Sequence, residues 1–243
     1  MNKSSNLKKK NRHNLSRDEN SRPATRVIEG LPTLDSFKDY YLGTILHPRR
    51  TFDALMNDDR RLKFAFWAVS INAVLYTLVY IFLTIGNGAP SSFKPWLAIP
   101  SNVYYHYDRF LLAPSMFADW ILVAGIAHLL SRLFQGKGSF EDTLSAFGFG
   151  ITIASLASLL HDLPDAFLGA IGFLDLREYE VILNSPTIWR VILLTLYSLS
   201  IVWYLVLFPK GIGAAQRIGR GPAIFIGVFT FLVYLFFFLT FNR

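Results

Sequence analysis

The chain has 243 residues, 52% of them apolar and 16% aromatic, with no cysteine and a formal net charge of +7. That composition excludes an ordinary soluble domain, and the missing cysteine excludes disulfides, thiolate metal sites and cysteine nucleophiles. The charge is not a nucleic-acid signal. Residues 1–63 carry fourteen basic and eight acidic side chains, whereas residues 64–243 carry ten and nine. The excess therefore sits in an arm beside a membrane, where anionic lipid headgroups are the default partner. No base-reading module accompanies it, so nucleic acid is not expected as a partner.

Residues 1–33 are polar and basic (Lys8, Lys9, Lys10, Arg12, Arg17, Arg22, Arg26). Such a segment buries too little apolar surface to order itself and is expected to be a disordered cytoplasmic arm. It lacks the apolar core of a cleaved signal peptide. Residues 34–61 differ: Leu34, Phe37, Tyr41 and Ile45 recur at helical spacing, which predicts an amphipathic helix. His47-Pro48 interrupts it, because the residue before a proline is pushed out of the helical region. Pro48 then suits the first position of a second short helix that places Phe52, Leu55 and Met56 on one face. Both pieces read as helices in the headgroup region, the alternative being a helix packed on a soluble partner.

From residue 62 onward the chain reads as five spans, at about 62–85, 114–134, 143–163, 187–208 and 223–241. Each is long enough for about 30 Å of hydrocarbon at about 1.5 Å per residue. Between the first two lies a loop rich in Pro, Tyr and Trp (Pro95, Trp96, Tyr104, Tyr105, Tyr107) that also carries His106 and Asp108. Residues 161–185 form an acidic loop and residues 209–222 a basic one. Lys and Arg gather in the arm and in the second and fourth loops, which predicts a cytoplasmic N-terminus and an outside C-terminus. Trp67, Trp120, Trp189 and Trp203 are expected as interfacial anchors. The fold class that follows is all-α: a polytopic membrane protein, a five-transmembrane-helix bundle with N-terminal amphipathic helices.

Ionisable groups inside the spans are few, and such groups ordinarily mark function. Asp119 and His128 lie nine residues apart on the second span, so they face opposite sides at about 100° per residue. His128, one turn from Arg132, reads as a hydrogen-bonded or snorkelling structural residue. Asn72 on the first span suits an interhelical hydrogen bond. His161, Asp162 and Asp165 are the one cluster with the chemistry of a metal or acid–base site, with Pro164 expected to separate His161 from Asp165. Charged residues at a span end explain the cluster more simply, and neither a metal nor a cofactor is expected.

Gly211-Ile-Gly213 begins like a dinucleotide loop but lacks the third glycine and the preceding strand, so it reads as a turn between helices. Gly150, Ala154 and Ser158 place small residues every fourth position, which predicts that the third span packs at the centre of the bundle. Phe225, Phe229, Phe236, Phe237, Phe238 and Phe241 read as lipid-facing bulk. Arg49, Arg50, Arg60, Arg61 and Lys63 flank the interfacial helices and are the candidate contacts to anionic lipid or to a protein partner.

Several segments together resemble the Yip-one family, the Ypt/Rab-GTPase-interacting membrane proteins and their prokaryotic relatives. These are Ile45-Leu-His-Pro48-Arg49-Arg50-Thr-Phe52-Asp-Ala-Leu55, Gly136-Lys-Gly138-Ser-Phe140-Glu-Asp-Thr-Leu144, the Phe-Gly-Phe-Gly run at 147–150 and the exit at His161 to Asp165. The resemblance covers about residues 40–240. It implies five helices, a cytosolic N-terminus, no known catalysis and a role in membrane organisation or trafficking. The Asp-Leu-Tyr-Gly-Pro-like motif of eukaryotic members is missing from the sequence, so a Rab-type partner is not implied. The leading expectation is a non-enzymatic adaptor of a prokaryotic cell membrane, working through anionic lipid and a protein partner or a second copy of itself. The alternative is a small transporter, permease subunit or lipid-handling protein with a cavity near Asn72, Asp119 and His161.

Overall fold

The computed structural model describes residues 34–90 and 96–241. The basic arm at 1–33, Pro95 and the side chain of Phe241 lie outside the described residues. Two short helices, α1 (Phe37–Leu46) and α2 (Pro48–Leu55), precede the first long helix, α3 (Arg61–Ile85). Ser36 caps α1 in a reciprocal pair with Asp39, and Pro48 occupies the first turn of α2. The apolar face of this pair is covered by the bundle itself: Tyr40, Phe52 and Leu55 join the main core alongside Phe149, Phe208 and Ile212.

A 3-10 turn at Ser101–Val103 leads into α4 (Tyr104–Leu133). The second span thus begins ten residues before its expected start. Pro114 sits inside the helix, and Tyr104, Tyr105, His106, Tyr107 and Asp108 are helical rather than loop. Tyr104, Tyr105 and Asp108 are buried, and that tertiary cover overrides the local breaking tendency of the proline. Trp96 and Leu97 donate their backbone N–H groups to the carbonyls of Leu239 and Thr240 at 3.0 and 3.1 Å. They thereby satisfy carbonyls that the end of the last helix would leave open.

The third span is not one straight helix. It consists of α5 (Phe140–Ala154) and α6 (Leu156–Ala170), bent by 49° at Ser155. Hydroxyl groups cause the bend. Thr152 and Ser155 return hydrogen bonds to the carbonyls of Gly148 and Thr152, and the Ser158 N–H leaves the helical ladder for Ser200 Oγ at 3.1 Å. Pro164 does not end α6, and the expected acidic loop is instead helical to Ala170 and again in α7 (Leu176–Asn184). As the stripe of small residues predicted, α5 is central. It is buried along almost its whole length, with Gly148 against Ala65 and Trp120 and Gly150 against the Phe208 ring.

The fourth span, α8 (Ile188–Gln216), runs eight residues beyond its expected end and takes in Pro209, Gly211 and Gly213. The glycine segment is therefore helix, not turn. Pro209 fits there because its ring sits in the notch at Gly227 of α9 (Arg220–Phe241). The chain reverses at Arg217, which adopts a left-handed conformation (φ 55°). Among the described residues, four helices (α3, α4 with its leading turn, α8, α9) are long and apolar enough to cross a bilayer. The bent pair α5–α6, counted as one span, makes five. The molecule is an integral, multi-pass, all-helical membrane protein.

Trp120 is not an interfacial anchor. It lies mid-helix, buried, and donates its indole N–H to the Leu144 carbonyl at 2.8 Å. On α9, Phe225, Phe229 and Phe236 are exposed, whereas Phe238 turns inward against the core.

Candidate functional site

Two regions gather the candidate side chains. The first is the end of the bundle where α1 and α2 dock. Arg60 there forms an ion pair with Asp58 at 2.9 Å and lies over the Phe64 ring. Hydrogen bonds from Arg60 hold the Asp58 carboxyl below its ordinary value. Burial, reinforced by the Asp58 charge, pushes the Tyr40 phenol up to about 12. Arg61 is also committed: its Nε lies 2.7 Å from Asp142 and its Nη2 3.3 Å from Glu141, tying the start of α3 to the first turn of α5. Arg49, Arg50 and Lys63 are exposed and, among the described residues, enter no ion pair. Of the five basic candidates, two are therefore neutralised locally and three remain available.

The loop at 134–139 has a packing role that explains its glycine pair. Lys137 N–H donates to the Gln216 carbonyl at 2.9 Å, and a Cβ on Gly138 would overlap the Ala215 carbonyl. The buried Gln216 amide reaches the Ser139 carbonyl at 3.2 Å, Thr143 Oγ1 at 2.7 Å and His128 Nδ1 at 3.0 Å. His128 belongs to this latch and does not line the cavity at Asp119. Sequence reasoning missed Gln216, for which a lone glutamine in an apparent turn offered no signal.

The second region is a polar tract inside the bundle on the far side of the Ser155 bend. Asn72 accepts from Ser155 Oγ at 3.1 Å. Tyr76 Oη donates to the Ser155 carbonyl at 3.2 Å and lies 2.8 Å from Ser158 Oγ. Asn72 and Asp119, 2% and 4% exposed, line one cavity of about 20 Å3 with Ser155 and Tyr234, room for about one water molecule. Among the described residues Asn72 Nδ2 has no hydrogen-bond partner, and no hydrogen bond or ion pair reaches Asp119.

Farther along, a cavity of about 40 Å3 is lined by Tyr76, His161, Asp162, Asp165, Tyr179 and Glu180, among others. His161 lies between two carboxylates of its own helix, with Nδ1 3.1 Å from Asp162 and Nε2 3.2 Å from Asp165. The continuous helix through Pro164 is what brings Asp165 into reach, contrary to expectation. Tyr197 donates to both Asp162 oxygens at 3.0 and 2.9 Å. Among the described residues no group of three or more histidine and carboxylate side chains converges as a metal centre would. Tyr76, Tyr197 and Ser200 complete this tract. Apolar-span tyrosines and serines are too common for sequence alone to have singled them out.

A comparison with known proteins fits this architecture. An uncharacterized protein of the archaeon Methanocaldococcus jannaschii is 40% identical over 48 residues, 20% of this chain. That stretch spans only 33% of the archaeal protein's length, and it is consistent with a prokaryotic-type member. No solved structure matches significantly. The family model described as the Yip1 domain matches residues 42–241, from within α1 to the last residue of α9, and the chain belongs to that family.

Proposed function

We propose that the protein is a non-enzymatic, membrane-organising or trafficking-type adaptor of a prokaryotic cell membrane. Its N-terminus lies in the cytoplasm and its C-terminus outside, and it works through protein and lipid contacts at the end of the bundle that carries α1 and α2. One observation supports this above others. The α1–α2 pair is clamped by Phe52 and Leu55, yet it presents Arg49 and Arg50 outward and without ion pairs among the described residues. A preorganised basic surface of this kind favours binding because little ordering cost remains. Cross-linking in native membranes followed by affinity purification tests the reading. A protein partner, or a second copy, recovered near stoichiometry and lost in an Arg49→Glu/Arg50→Glu variant that still inserts is the expected result. Identical recovery with the charge-reversed protein would remove the adaptor reading.

A second reading, a small transporter, permease subunit or lipid-handling protein, is favoured by Asp119. A carboxyl that faces an interior cavity with no partner among the described residues is the usual mark of a solute or ion path. It predicts flux in proteoliposomes that collapses in Asp119→Ala; flux indifferent to that change would dismiss it.

A further inference from the structure

At the end of the bundle under α2, a half-enclosed groove of about 670 Å3 runs between α8 and α9. That size lies in the range of small-molecule sites. Its walls include Leu205, Pro209, Ala214 and Ile224, and its rim holds Arg49, Lys210 and Arg220. A second hollow of about 450 Å3 adjoins it, lined by His47, Pro48, Arg50 and the shared residues Arg49, Asp53 and Lys210. Arg49, Lys210 and Arg220 are exposed and, among the described residues, none enters an ion pair. The combination is amphipathic: an apolar trough opening onto a hollow whose cations outnumber its one carboxylate.

The location follows from helix length. At about 1.5 Å per residue, the 29 residues of α8 exceed about 30 Å of hydrocarbon by several residues. With the uncharged stretch 191–209 in the apolar layer, the last turns from Lys210 onward fall at headgroup depth and Leu205 within the layer. A ligand that fits must itself be apolar at one end and anionic at the other. We propose that this groove binds one anionic phospholipid. The phosphate lies among Arg49, Lys210 and Arg220, a headgroup hydroxyl donates to Asp53, and an acyl chain lies along Leu205 and Ile224. The inference deepens the lipid contact proposed above and rests on that reading. Arg49 is common to both, but the adaptor test reads recovery of a protein partner whereas the lipid test reads lipid retention in variants of Lys210 and Arg220 with Arg49 intact, so either can fail alone.

The test is native mass spectrometry of the full-length protein in detergent with equal amounts of phosphatidylglycerol and phosphatidylcholine. One phosphatidylglycerol is expected to remain bound in preference to phosphatidylcholine. Its retention is expected to fall about tenfold in K210Q/R220Q and to persist in K210R/R220K. Equal retention of the two lipids, or undiminished phosphatidylglycerol in K210Q/R220Q, would overturn the site. Should K210Q/R220Q not fold, phosphatidylglycerol with a photoactivatable acyl chain decides on the unmodified protein. Adducts at Leu205, Ala214 or Ile224 are expected. Adducts confined to other helices, or a protein–protein adduct showing a second copy in the groove, would reject it.

Discussion

The two ends of the bundle are built on different physics. Toward α1 and α2 the core is Phe52, Phe147, Phe149, Phe208, Leu207 and Ile212 among small residues, held mainly by close packing, with the Gln216 latch and the Arg61 ion pairs at its edge. Beyond Ser155 the core is Tyr76, Tyr80, Tyr104 and Tyr105, threaded by Asn72, Ser158, His161 and Asp162, whose polar atoms must find partners away from water. The first end is suited to present a fixed surface. The second is where Asp119, without a partner among the described residues, can persist beside a cavity.

Truncation at the packed end breaks this contrast most severely. Phe147 is 1% exposed with its ring 4.5 Å from that of Phe208, so Phe147→Ala is expected to cost about 3–5 kcal/mol, read as a large fall in melting temperature of the purified protein. Gly138→Ala follows at about 3 kcal/mol, because the new Cβ overlaps the Ala215 carbonyl and the 134–139 loop must leave α8. Faster hydrogen exchange of Lys137 would report that release. A smaller effect, about 1–2 kcal/mol, is expected at the polar end for Tyr197→Phe, which takes the hydroxyl from Asp162. A Tyr197→Phe loss as large as that of Phe147→Ala would mean that both ends depend equally on packing.

The mildest probe is pH. The depressed Asp58 carboxyl contributes stability that is present above its unfolded value and lost as pH falls through the lower folded one. The Tyr40 phenol, raised to about 12, contributes stability that is present below its unfolded value and lost as pH rises through about 12. Hydrogen-exchange protection across α1 and α2, measured relative to the intrinsic exchange rate at each pH, should therefore be flat from about pH 5 to 9 and fall outside about pH 4 and 10. A loss of protection near neutral pH would show that another group governs the docking.

Much of this was legible from residue types. Leu34, Phe37 and Tyr41 announced α1, His47-Pro48 announced the break before α2, and Gly150 and Ala154 announced a central helix. What proved illegible shares one cause. Pro114, Pro164 and Pro209 were read as boundaries, yet each lies within a helix whose neighbours compensate locally, Gly227 receiving the Pro209 ring most plainly. Asp165 meets His161 only because α6 continues through Pro164. Arg60 and Arg61 read as free cations until Asp58 and Asp142 were brought beside them.

By itself the sequence determined the solvent, the all-helical class and the family, because hydrocarbon permits only internally bonded backbone and apolar length is read directly from composition. Tertiary structure alone decided the bend at Ser155, the latch at Gln216, which cations remain unpaired and where a groove opens between α8 and α9. The latch, the groove, the Arg61 pairs and the Ser158–Ser200 bond at the bend depend on contacts between residues far apart in the chain, and periodicity along one helix carries no information about the side chain that will face it.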